Sequence, residues 1–302
     1  MHYTLGHRFT GHQGSVYALE HDFDLQHFYS GAGDKIVARW SLEQKGDGDL
    51  VARATDAVYC LHLLREQHVL LIGQGAGGVH VIALMDGKEE RLLQLHEGPV
   101  FGIGQSRKHE LLFTLGGDGV LCRLERGSLD VLQRLRITEK KLRAFALYPE
   151  EQFALIGCGD GSVVVLELPE GRVVERLMAH QPGFSVNALA FSPDGRYFLS
   201  GSRDAHLHLY ETDGLKRLES IPAHNYAIYD IAFHPGGRRF ATASRDKSVK
   251  LWDFERMEVL ERLEGNDGTG HINSVNKLLW LADGTLLSAG DDRAIQAWSP
   301  LV

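Results

Sequence analysis

Short runs of apolar and alternating residues, five to eight long, follow one another along the whole chain. One stretch shows the order: "IYDIAFHP" at 228–235, a turn "PGG" at 235–237, "FATAS" at 240–244, a tight turn at Asp246, then "SVKLW" at 248–252 and "VLERLEG" at 259–265. Runs of this length with β-branched and aromatic residues, separated by Gly, Asp and Asn, predict strands. The turns "SPDG" at 192–195 and "LADG" at 281–284 punctuate other stretches in the same way. Helix caps and sustained 3.6-residue periodicity are missing. The chain is expected to be all-β, with four short strands in each unit of about 42 residues.

The unit recurs. Asp34, Ala76, Asp118, Asp160, Asp204, Asp246 and Asp292 are spaced by 42, 42, 42, 44, 42 and 46 residues. Six positions after each stand Trp40, Ile82, Leu124, Leu166, Tyr210, Trp252 and Trp298, all apolar or aromatic. Seven copies therefore tile residues 1–302 as a single domain. A four-stranded sheet this small cannot bury both faces alone, and stacking such units around an axis does bury them.

The period, the strand count and the dipeptide in "KLWDF" (250–254) resemble the WD40-repeat family. Gly11-His12 and Gly270-His271 supply its Gly-His signature, and Ala179-His180 and Ala223-His224 a variant of it. The likeness is strong in repeats 1, 5, 6 and 7 and degraded in 2, 3 and 4. It implies a seven-bladed β-propeller of four-stranded antiparallel blades. The last copy ends at "IQAWSPLV" without an outer strand, and "YTLGHRFT" (3–10) precedes His12 as "RVVERLMA" precedes His180. The N-terminal strand is thus expected to close the ring as the outer strand of blade 7.

His12, His96 and His224 lie 22 residues before their Asp, and His180 and His271 lie 24 and 21 before theirs. Four before the same Asp residues come Ser30, Thr114, Ser200, Thr242 and Ser288. Repeats 2 and 4 have Ala54 and Thr138 in place of the His, and Ile72 and Ile156 in place of the hydroxyl. Groups lost together are expected to touch. A His-Ser-Asp set invites a hydrolase interpretation. Five copies in one chain, with the hydroxyl inside a strand rather than on an exposed elbow, favour structure instead. Complete sets are expected in blade 1 (His12, Ser30, Asp34, Trp40), blade 6 (His224, Thr242, Asp246, Trp252) and blade 7 (His271, Ser288, Asp292, Trp298). Resemblance to the family implies their order: Asp takes the His ring, His the hydroxyl, and the hydroxyl the indole N–H.

Other motifs carry less. "GQGAGG" (73–78) satisfies G-x-G-x-x-G, but "VHVIAL" follows with a strand's alternation where a nucleotide site needs a helix. His206 and His208 share one side of a strand with no third ligand apparent, so no metal is expected. "GDGD" (46–49) and "GNDGTG" (265–270) lack calcium-loop spacing. No cofactor is expected.

Composition narrows the partners. The chain is 43% hydrophobic and 24% charged, with 34 Gly, 8 Pro and a net charge of −8. That charge argues against general nucleic-acid or membrane binding. Cys60, Cys122 and Cys158 form no CxxC pair, the N-terminus has no apolar signal core, and no apolar run approaches the ~18 residues of a membrane span. A soluble, cytoplasmic protein is expected, monomeric by default. Partners in such folds dock on the loops of one face. Register nominates Tyr17, Tyr59, Phe101, Arg143 and Tyr229, each after a first-strand apolar residue, and Arg203 and Arg245, each before a turn Asp. "QPGF" (181–184) and "GNDGTG" are expected on the same face. The function expected is a non-enzymatic scaffold for protein or peptide segments. The alternative is a propeller enzyme with a hydrolase or lyase site at the channel mouth.

Overall fold

The structure is a computed structural model that describes residues 2–24, 26–44, 46–264 and 269–301. Residues 265–268 of the "GNDGTG" insertion lie outside the described residues. The described chain folds into seven four-stranded antiparallel sheets. Blades 1 to 6 span 16–53, 58–94, 100–136, 142–178, 186–222 and 228–263, each with its strands in sequence order. Blade 7 takes three strands from 275–300 and its fourth from Tyr3–Phe9, which pairs antiparallel with Ile295–Pro300.

The chain divides into two compact units. One, built from 1–75, 79–93 and 229–302, holds blades 1, 2, 6 and 7. Its cores are slabs between neighbouring sheets. Phe9, Val16, Phe28, Leu287 and Ile295 fill the one between blades 7 and 1, and Val58, Leu70 and Ile72 that between blades 1 and 2. Trp280, Leu286 and Val249 fill the slab between blades 6 and 7. The second unit, 76–78 and 94–228, holds blades 3 to 5. There Phe113, Leu142 and Ile156 form one slab, and Leu155, Val186 and Phe198 the next. The second strands sit in mid-sheet with both faces covered, which is why "LLFTLG" (111–116) and "FALIGC" (153–158) read as largely apolar runs rather than as alternating ones, Thr114 being the polar exception.

Two backbone irregularities recur. The residue after each turn Asp, or after Ala76, adopts a left-handed conformation: Lys35, Gly77, Gly119, Gly161, Ala205, Lys247 and Arg293, with φ from 64° to 97°. In addition, among the described pairings, the first two strands of blades 1 to 5 and 7 skip one residue. The skipped residues are Tyr17, Tyr59, Phe101, Arg143, Asn187 and Asn276. Each is a β-bulge, a device that turns a side chain out of the pleat's alternation. A backbone bond beside it holds the register: Gly33, Gly75, Gly117, Gly159, Arg203 and Asp291 donate to the carbonyls of Ser15, Ala57, Pro99, Lys141, Ser185 and Ser274 at 2.7–2.9 Å.

Candidate functional site

The geometry of the polar sets within the blades separates chemistry from support. In blade 1, Trp40 Nε1 donates to Ser30 Oγ at 2.7 Å, and Ser30 Oγ lies 2.7 Å from His12 Nε2. An indole can only donate, so the hydroxyl spends its single hydrogen on His12 Nε2. His12 Nδ1 then carries the ring hydrogen and donates to Asp34 at 3.0 Å. The Asp34 carboxylate also accepts the backbone N–H groups of Gln13 and Ile36 at 2.7 and 3.0 Å. Burial pushes the Asp34 carboxyl up, but the bonds from Gln13 and His12 more than offset this and hold it below its ordinary value.

Blade 7 repeats the arrangement. His271 lies 2.9 Å from Asp292 and 2.8 Å from Ser288, and Trp298 donates to Ser288 at 2.9 Å. In blade 6, Trp252 donates to Thr242 at 2.9 Å, His224 is buried, and Asp246 accepts from Ser248 N and Oγ. Blade 3 keeps His96, Thr114 and Asp118 with Leu124 at the indole position. In blade 5, His180 bonds Asp204 and Ser200 at 3.0 and 2.9 Å, and the Tyr210 hydroxyl donates to Ala179 O. Ser30, Ser200, Thr242 and Ser288 are fully buried, so no substrate reaches those oxygens. These sets close strands together and offer no accessible nucleophile.

Blades 2 and 4 solve the same problem differently. Gln74 Oε1 accepts from Thr55 Oγ1 and Asp56 N at 2.9 and 3.0 Å. In blade 4 the Arg176 guanidinium reaches Ser162 Oγ at 2.8 Å and Ile137 O at 2.6 Å, beside Asp160. Neither substitute was nominated from the sequence, because Gln74 and Arg176 lie outside the recurring register.

The weaker motifs find their places. "GQGAGG" runs from a strand, Val69–Gln74, into a strand, Gly78–Ala83. His208 stacks on His180 with centroids 4.1 Å apart, and its Nδ1 donates to Ala179 O at 2.8 Å. Asp22, Asp24 and His27 form a group with metal-ligand spacing that the sequence did not reveal. Arg39 Nε sits 2.5 Å from Asp22, Tyr29 donates to the same carboxylate, and Arg39 also reaches Asp24. A guanidinium already stands where a cation would. Cys60, Cys122 and Cys158 are buried free thiols, and burial pushes Cys60 up to about 12.

The bulges organise the nominated docking residues. In the first unit Tyr17 and Tyr59 are half-buried and stack with centroids 5.1 Å apart. Asn276, at the blade 7 bulge, donates to Val16 O at 3.1 Å and to Asp291 at 2.8 Å. Tyr229 is half-buried and Arg245 exposed. In the second unit the Arg143 guanidinium lies 4.2 Å over the Phe101 ring, a cation–π pair. Arg203 is exposed, and Asn187 donates to Ile228 O at 3.0 Å. The exposed "QPGF" turn sits by the tight turn of blade 4, where Gly183 N donates to Asp160 O at 2.8 Å. Small residues make room for the rings: a Cβ on Gly33 would lie 3.5 Å from the Tyr17 ring, and one on Gly117 3.2 Å from that of Phe101.

A family model, "WD domain, G-beta repeat", matches residues 3–41, 171–211, 215–253 and 260–299, more than half of the chain. The chain belongs to the WD40 family. The four matches fall on repeats with Trp or Tyr in the third strand, and the degraded repeats 2, 3 and 4 are passed over. Among solved structures, the WD40 β-propeller domain of Doa1 superposes with a TM-score of 0.86 at 17% identity, covering 99% of this chain and 97% of that one. That likeness shows the fold, a seven-bladed β-propeller. The chain is 24% identical over 70% of its length to eukaryotic translation initiation factor 3 subunit I of Drosophila yakuba. It is 23% identical over 59% of its length to U3 small nucleolar RNA-associated protein 21 of Saccharomyces cerevisiae. The matched segments span 56% and 19% of those two proteins. Among the described residues no helix is long and apolar enough to cross a membrane.

Proposed function

We propose that this chain is a non-catalytic scaffold that holds protein or peptide segments against the bulge residues of its first strands. One observation carries the reading: the position that the backbone lifts out of strand alternation is filled by Tyr17, Tyr59, Phe101 and Arg143. Aromatic and Arg side chains are the residue types that dominate binding energy at protein interfaces. The stacked Tyr17 and Tyr59 suit an apolar or aromatic side chain, and Arg143 and Arg203 suit an acidic group. Two of the relatives bear the names of assembly components, a subunit and an associated protein, which agrees with such a role. A net charge of −8 favours a protein partner over nucleic acid.

The test is affinity capture with the immobilised full chain from extracts of its native cell, alongside Tyr59→Ala and Arg203→Glu variants of unchanged melting temperature. Recovery of the bound proteins is expected to fall about tenfold or more for at least one variant, the scale of an interface hot spot. Undiminished recovery with both variants overturns the reading.

A further inference from the structure

The outer strands of blades 3 to 6 each skip one residue in pairing with the strand beside them. Blade 4 differs from its neighbours in what surrounds the skip. Arg172–Met178 is the last strand of its sheet, so one row of its backbone groups has no strand beside it. It pairs through Glu167↔Arg172, Leu166↔Val173 and Val165↔Glu175, which leaves Val174 as the extra residue. Val173 and Val174 thus stand together opposite Leu166. They are 40% and 48% exposed, and Met178 in the same strand is 53% exposed. Arg172 and Glu175 flank the valines and are exposed as well. Their partners Glu167 and Val165 are two residues apart and share a face, so Arg172 and Glu175 share one too. In an unbroken strand, residues three apart point to opposite faces.

We infer that this edge pairs with itself: two copies of the chain associate antiparallel along Arg172–Glu175, across a two-fold axis. Setting Val173 of each copy opposite Val174 of the other puts Arg172 of each opposite Glu175 of the other. The same patch then serves both copies, as a two-fold interface requires. The bulge is what matches the faces in that register, so both ion pairs fall on one side of the joined sheet and the valines on the other. Arg172 Nε already donates to Glu167 at 3.0 Å, and a guanidinium has N–H donors to spare for a second carboxylate. Neighbouring edges lack the match. In blade 6 the bulge pair Val259 and Leu260 lies between Glu258 and Glu261, so a second copy would meet like charge. In blade 3 the flanking residues are Asp130 and Gln133, and in blade 5 Lys216 and Glu219 flank a pair that includes Arg217. An edge of this length is a small interface, so the dimer is expected to be weak, with a dissociation constant on the order of tens of micromolar, and dilute protein is monomeric. The edge is separate from the first-strand bulge residues, and its pairing stands whether or not those hold a partner.

The experiment is sedimentation equilibrium of the full chain from about 1 to about 300 μM, a range that brackets such an affinity. The parent is expected to approach twice its monomer mass at the upper end and to go no further. Arg172→Glu and Glu175→Arg, at exposed positions, are each expected to weaken the dimer at least about tenfold through like charges placed opposite one another. An equimolar mixture of those two variants is expected to associate as well as the parent, because each copy then meets its opposite charge at both places. The double variant Arg172→Glu/Glu175→Arg is expected to dimerise alone. Val174→Asp is expected to abolish association, and Leu260→Asp, on the edge of blade 6, to leave it unchanged; melting temperatures confirm that each variant is folded. A parent that keeps its monomer mass throughout overturns the inference. So does a dimer indifferent to both charge reversals, or one that both reversals weaken and their mixture fails to restore.

Discussion

The turn Asp performs two separable tasks, and the chain carries the means to weigh them. One carboxylate oxygen takes the His ring, and the carboxylate also accepts the N–H two residues on, as in Asp34 with Ile36 and Asp118 with Val120. That second bond closes a turn whose middle residue is left-handed. Lys35 at φ 70° pays a steric penalty of roughly 1–2 kcal/mol for this conformation, and Gly119 at φ 78° pays none. Asp34→Ala is therefore expected to cost about 2 to 3 kcal/mol, combining the orphaned His12 with an unsupported Lys35. Asp118→Ala, with glycine already in the turn, is expected to cost about 1 kcal/mol less. Chemical denaturation of the two variants checks the order, and equal losses would show that the left-handed strain at Lys35 does not depend on the Asp-to-amide bond. Blade 2 fits the same logic: with Ala76 in the Asp position, it has Gly77 next, where a Cβ would meet His96 O.

At the scale of the strand, blade 5 carries a buried, stacked pair of histidines. Its third strand, His206–Glu211, places His208 across from Ser200 and flat against His180, with Asp204, His206, Tyr210 and Arg217 as its titratable neighbours. Burial, then the charge on His180, depress the His208 pKa to about 4. The unfolded ring titrates near 6.5, so the unfolded state takes up a proton that the folded state refuses. Stability is thus intact above about pH 6.5, falls as the pH drops from there to 4, and is flat with respect to this group below that. The loss is on the order of 2 kcal/mol. His208→Asn, which keeps a donor for Ala179 O, is expected to flatten the stability profile between pH 6.5 and 4 relative to the parent. His96, also pushed down by burial, stays as a shared background in both proteins. Identical profiles would show that His208 takes up its proton equally in both states. A lower step follows from Asp204, held at about 2 against burial by His180 and neighbouring amides: its share is lost as pH falls below about 4. The strands, their order and the blade count were legible in the sequence because the spacing of Asp34 through Asp292 repeats and every turn has a turn residue. The bulges were not. A single skipped residue leaves the apolar alternation of "VYALEH" and "VYCLHLL" looking regular, so Tyr17 and Tyr59 could be nominated only by register. The stack of His208 on His180 was equally hidden, since it brings a strand residue against a loop residue twenty-eight positions earlier in the chain. Gln74 and Arg176 stayed invisible for a third reason: a substitute that restores hydrogen bonds need not sit where the lost residue sat.

The largest-scale question is what holds the beginning of the chain to its end. Tyr3–Phe9 completes the sheet of blade 7 along Ile295–Pro300, and does more than cover an edge. Phe9 packs edge-to-face on Phe28 and Trp40, and so belongs to the slab between blades 7 and 1. Tyr3 packs on Trp280 in the slab between blades 6 and 7, and its backbone N–H donates to Glu261 at 2.9 Å. One strand thus ties three blades of the first unit, and Arg8 stands 3.6 Å from Asp292 in the turn set of blade 7. Each buried aromatic is worth on the order of 2 to 3 kcal/mol. Deleting residues 2–9 removes both of them and leaves Ile295–Pro300 with an open row of backbone groups, a template for pairing with another chain. The shortened protein is expected to melt well below the parent and to self-associate as its concentration rises, by light scattering. A synthetic peptide of residues 2–11 added in trans is expected to restore the melting temperature and suppress the scattering, because the vacated edge accepts only a strand whose apolar side chains fit both slabs. A scrambled peptide serves as control. A truncated protein that stays monomeric at the parent melting temperature would mean that the other three strands suffice, and that the pairing of the two ends is incidental to the fold.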